Sequence, residues 1–145
     1  MSTPNYDSQR LASIKTYMLI AFIFNIIGMI LFGLLGIWQI ISWATWSSAY
    51  LGYLAGWATG MLITGVVLLV FFVFALLVFM RVRKMYNAVN RGDIATLKSL
   101  NNMMWAVLAL IFTGVITGIM LIISFGPINE LGQAPSAYPP PPPPS

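Results

Sequence analysis

Hydrophobic and polar positions are not interleaved along this chain; they are sorted into blocks. No Asp, Glu, Lys or Arg falls between Lys15 and Arg81, and none between Lys98 and Glu130. A helix needs about 20 apolar residues to cross a bilayer core. The first gap therefore holds two crossings and the second holds one. The pattern predicts an all-α membrane bundle with three transmembrane helices over residues 16–42, 54–80 and 103–125. Four crossings fit less well, because no charged loop divides the first gap differently. A polar lead, residues 1–10, precedes the helical domain, residues 11–126, and a tail follows from 127 to 145.

The punctuation agrees with this division. Trp38, Trp43, Trp46, Tyr50, Tyr53 and Trp57 are mixed with Ser42, Thr45, Ser47 and Ser48. Amphipathic aromatics favour the membrane–water boundary, so residues 38–57 read as an uncharged connection lying against headgroups. Arg91-Gly92-Asp93 reads as a turn, with Asp93 the N-cap of a short surface helix on which Ile94, Leu97 and Leu100 recur at helical spacing. Gly126-Pro127 is expected to stop the last helix. The lead is polar and the apolar run after it outlasts a signal-peptide core, so that run is expected to remain in the protein.

Composition narrows the chemistry. The chain is 59% hydrophobic and 7% charged, where a soluble domain carries about 25% charged residues. Lipid must therefore replace water as solvent for most of it. Cysteine and histidine are absent, which removes thiolate and imidazole ligands and the common nucleophile–base pairs. No cofactor or metal is expected, and no enzyme activity. The nine methionines show no close Met-x-x-x-Met pattern and read as packing.

Charge then gives orientation. Arg10 and Lys15 precede the first span; Arg81, Arg83, Lys84, Arg91 and Lys98 lie between the second and third. Lys and Arg next to short loops stay in the cytoplasm. With three crossings the N-terminus is expected inside and the C-terminus outside. The net charge of +4 then means membrane lipid headgroups as partners, with no nucleic acid.

Gly52, Gly56 and Gly60 recur every fourth residue, in register with Ser48 and Thr64; Gly114 and Gly118 repeat the spacing beside Thr113 and Thr117. Small faces let helix backbones approach closely, either within one chain or between copies. Asn25 is the one amide deep in a span and is expected to bond another helix, with Thr64, Thr113 or a neighbouring chain as candidates. No ionisable group lies within a span, which argues against ion-coupled transport. Tyr138 precedes six prolines at 139–144. Such a run favours polyproline II and, with the tail expected outside, reads first as a flexible spacer or surface-exposed stalk; it is also similar to ligands of cytosolic aromatic-groove domains, so a protein partner is the second reading.

The stretch Asn90-Arg91-Gly92-Asp93, with Lys98, Trp105 and the helix of Gly114 and Gly118, resembles the last part of small multi-spanning membrane proteins, archaeal ones especially. It is also similar to the second half of dispanin-type proteins, whose cysteine-bearing segment is missing here. The resemblance implies a membrane-organising role and assigns no residues. The resulting expectation is a non-enzymatic structural, envelope or accessory subunit that packs or self-associates through glycine faces. The alternative is a small oligomeric channel or transport accessory protein.

Overall fold

A computed structural model describes residues 3–49, 55–132 and 143–144. The described elements are all helical: α1 (Thr3–Ala49), α2 (Ala55–Arg91), α3 (Ile94–Leu100), α4 (Met103–Phe112) and α5 (Val115–Glu130). Two helices, over Ser8–Ser48 and Gly56–Arg91, are long and apolar enough to cross a membrane, or three if the α3–α4 pair, bent by 61°, counts as one span.

α1 and α2 form an antiparallel pair. Phe22 stacks on Phe79, Phe32 meets Phe71 edge-on, and Gly36 lies against Gly65. The buried positions of α1 are Ile14, Met18, Ala21, Asn25 and Gly36, a single helical stripe. The opposite faces carry exposed Ile, Leu and Val from Leu19 to Ile41 and from Ile63 to Leu77. Helices apolar all round suit lipid rather than water.

The connection expected over residues 38–57 is mostly helix instead. α1 continues to Ala49 and α2 begins at Ala55. The hydroxyls that suggested a loop are satisfied within their own helices: Thr45 Oγ1 donates to Ile41 O at 2.8 Å, and Ser48 Oγ to Thr45 O at 2.9 Å. Tyr50, Gly52 and Tyr53 lie outside the described residues. Trp38, Trp46 and Trp57 all point outward.

The third apolar run departs most from expectation. It breaks at Thr113-Gly114, and α5 folds back along α4. In an unbroken helix, residues 24 apart would lie about 36 Å from each other. Asn101 Nδ2 instead donates to Phe125 O, 24 residues on, at 3.0 Å, and to Asn129 Oδ1 at 3.0 Å. Gly114 permits the reversal: its φ of 122° falls where only glycine sits comfortably. Gly118 permits the close packing, because a Cβ there would collide with the Leu110 backbone.

The hairpin returns α5 to the end of the bundle where it began. Arg10 Nη2 meets Glu130 Oε2 at 2.9 Å, so Glu130 lies beside the start of α1 rather than across the bundle, as a straight third crossing requires. Gly126-Pro127 does not stop α5. The helix runs to Glu130, and Ile128 and Leu131 are fully buried. That burial offsets the one hydrogen bond Pro127 cannot make.

The hairpin contact can be tested through its glycines. A Cβ at Gly28 would lie 2.8 Å from Thr113 O, while Gly60 and Gly126 have nothing within 4 Å. Gly118→Ala and Gly28→Ala should each destabilise the fold by about 1–3 kcal/mol, read as loss of helicity on SDS titration. Gly60→Ala and Gly126→Ala should be neutral. Equal stability of Gly118→Ala and Gly126→Ala would remove the tight α4–α5 contact.

Candidate functional site

Among the described residues three groups stand out: a bare glycine face, a buried amide and a basic end. The glycines divide sharply. Gly33 faces Phe72, Gly36 and Gly65 face one another's carbonyls, and Gly28 and Gly118 serve the hairpin. A Cβ at Gly56 or Gly60 would meet nothing within 4 Å among the described residues. With Gln39, Trp57, Met61 and Thr64 they line an open groove of about 340 Å³. Thr64 Oγ1 donates to Gly60 O at 2.8 Å, so this face presents no unsatisfied hydroxyl. Gly52 lies outside the described residues.

Gly114 and Gly118, expected to form a second small face, act differently. One makes the chain reversal and the other makes its packing. Neither is offered to a neighbouring chain as a continuous stripe. The α1–α2 crossing at Gly36 and Gly65 was not singled out by the sequence reading. A glycine on each of two adjacent apolar helices was the available signal, but it gives no register.

Asn25 is fully buried, and neither its Oδ1 nor its Nδ2 has a hydrogen-bond partner among the described residues. The two expected partners are engaged elsewhere. Thr64 bonds its own helix, and Thr113 Oγ1 donates to Ala109 O at 2.6 Å. The location of Asn25 follows from its neighbours on the same stripe. Ala21 O accepts from Thr117 Oγ1 at 3.4 Å, and Gly28 abuts Thr113 O. Asn25 lies between them, on the face turned to the hairpin tip. The start of α5 at that tip has no side-chain cap.

The basic end is partly structural. Arg81 donates from Nε and Nη2 to Leu100 O, at 3.1 and 2.8 Å, and its guanidinium lies 4.8 Å from the centre of the Trp105 ring. It thereby ties α2 to the entry of α4, a role the sequence reading did not assign. Arg83, Lys84 and Arg91 are exposed and Lys98 is half-buried. Asp93 caps α3 as expected: Thr96 donates to it from Oγ1 at 2.6 Å and from its backbone N at 3.1 Å. These two bonds, with the nearby Arg91 charge, hold its carboxyl below the usual carboxylate range.

Leaving a buried amide unpaired costs about 1–3 kcal/mol. Asn25→Leu should therefore resist SDS unfolding better than the parent chain. A less stable Asn25→Leu would mean that the amide is bonded in the membrane. Comparisons with family models, curated proteins and solved structures found no match to this chain.

Proposed function

We propose that this protein is a non-enzymatic membrane scaffold or accessory subunit that self-associates through the outer face of α2. One observation carries the reading. Five glycines are consumed by close contacts inside the chain, while Gly56 and Gly60 face an empty groove. Lipid tails are as apolar as leucine, so helices in a membrane associate by close packing rather than by hydrophobic drive. A bare small-residue face beside Trp57 is suited to a second helix, and a second copy supplies one.

The proposed topology has two crossings and a re-entrant hairpin. Every Lys and Arg lies near the start of α1, the end of α2 or in α3. The bias of basic residues toward the cytoplasm supports placing that end inside. The Arg10–Glu130 pair supports placing the end of α5 on the same side. This replaces the outward C-terminus expected from three straight crossings.

A second reading, a small oligomeric channel or transport accessory protein, draws on a different observation. The uncapped start of α5 and the unpartnered Asn25 amide lie together in the apolar part of the bundle. Broken helices with free ends occur in membranes where they line a polar path.

Crosslinking of the purified protein in mild detergent and in lipid vesicles tests the first reading. The parent chain should give a dimer, and Gly56→Leu with Gly60→Leu should reduce it at least tenfold while helicity stays unchanged. Undiminished dimer in the double variant would refute association through this face. Ion flux through vesicles holding the parent chain, abolished by Asn25→Leu, would favour the channel instead.

A further inference from the structure

We infer that this protein is a wedge in the bilayer, broader in the leaflet on its basic side, and that it favours and holds membranes convex on that side. The inference rests on the two crossings and re-entrant hairpin proposed above. The hairpin is shallow. Its first helix, α4, has 10 residues, about 15 Å of helix, against a hydrocarbon core of about 30 Å. Its tip is fixed against both long helices: Thr113 O abuts Gly28 of α1, and Phe112 stacks on Phe74 of α2. Past Gly28, α1 continues to Ala49, roughly 30 Å further on. Among the described residues, four helices therefore fill the half nearest the basic end, and α1 and α2 alone fill the other. Burial follows the same division. On α1, Ile14, Met18, Ala21 and Asn25 are buried alongside the hairpin, and beyond it only Gly36 is. Leu34 and Trp38, past the tip, are exposed.

The area involved is large on the scale of a lipid. A helix with its side chains is about 10–12 Å across, so the two hairpin helices take up about 200 Å² of one leaflet and none of the other. The leaflets of a flat bilayer have equal areas. Protein added to one expands it, and the sheet relieves the mismatch by bending with the expanded leaflet outermost. The charges give the sign. The open end of the hairpin adjoins α3 and the basic end of α2, the end that the Lys and Arg bias assigns to the cytoplasm. The bare glycine face adds to the shape. Gly56 and Gly60 lie at the start of α2, in the two-helix half. Copies joined there touch at their narrow ends, and their broad ends splay apart.

The chain lacks cysteine, so one introduced thiol reports on one place. Ser99→Cys marks the basic end and Ser48→Cys the far end; both positions are exposed. Each full chain is reconstituted from mixed micelles into phosphatidylcholine vesicles, small sonicated ones and large extruded ones, and an impermeant maleimide is added outside. Labelling is normalised to that in detergent. The outer leaflet of a small vesicle is strongly convex, so there Ser99→Cys should be labelled at least threefold more than Ser48→Cys. In large vesicles the two should be labelled about equally. Gly118→Leu and Gly28→Leu, which push the hairpin off its neighbours, should bring the small-vesicle ratio toward one. Gly56→Leu with Gly60→Leu should lower it without abolishing it. The same ratio in small and large vesicles, or an excess of Ser48→Cys outside, would overturn the wedge and leave the self-association reading standing. A size dependence untouched by both hairpin substitutions would overturn the hairpin as its source. Failure of the parent chain to crosslink, with the size dependence intact, would sink self-association and spare the wedge.

Discussion

The contact of Gly118 with the Leu110 backbone is the constraint from which the rest of the architecture follows. Two short helices can lie together in an apolar medium only if their backbones come close, because nothing in that medium pushes them together. Glycine at 118 permits the approach, and glycine at 114 permits the turn that leads to it. Once α5 runs back beside α4, its polar end must meet the polar start of α4 and the start of α1. There the chain places Asn101 against Phe125 O and Asn129, and Arg10 against Glu130. An exposed ion pair of this kind contributes roughly 0–1 kcal/mol. The clasp is a consequence of the close packing above it, more than its cause.

The same requirement sorts the remaining glycines. Where α1 and α2 cross, Gly36 and Gly65 let each helix bring its backbone against the other, and Gly33 makes room for the Phe72 ring. Aromatic packing then fills the space between α1, α2 and α4: Phe71 meets Phe112 edge-on, and Phe74 stacks on it with ring centres 4.3 Å apart. Each described glycine of α1 and α2 either sits at a contact or faces outward. That distinction, and not glycine content, separates the folding role from the proposed association role.

Much of this was legible in the residues. The charge-free gaps located the apolar helices, and Asp93 announced the start of α3. The hairpin was not legible, for a physical reason. A charge-free run of 23 residues from 103 to 125 satisfies the length rule for a crossing, and glycines such as Gly114 and Gly118 inside such a run are ordinary in membrane helices. Only the backbone φ of Gly114 and the packing of Gly118 against Leu110, neither visible in a linear pattern, make the run a chain reversal. Gly126-Pro127 misled in the opposite sense. The local stop signal is real, but burial of Ile128 and Leu131 outweighs it. The hydroxyls near 45–48 suggested a loop because their backbone acceptors one turn earlier cannot be seen in a linear pattern.

The hairpin tip also explains why Asn25 can exist where it does. Backbone that leaves helical form inside hydrocarbon needs cover from protein or access to water. Thr113 is buried and uses its hydroxyl on Ala109 O, Thr117 reaches Ala21 O, and the stripe of α1 between Ala21 and Gly28 closes over both. A leucine at position 25 would cover the tip equally well without an unpaired amide. The amide places two donors and an acceptor next to a helix start that lacks a side-chain cap. Two unsatisfied polar features in one small volume are less costly than the same two apart, because a modest shift of either can pair them. A separated pair would each need its own partner from a medium that has none.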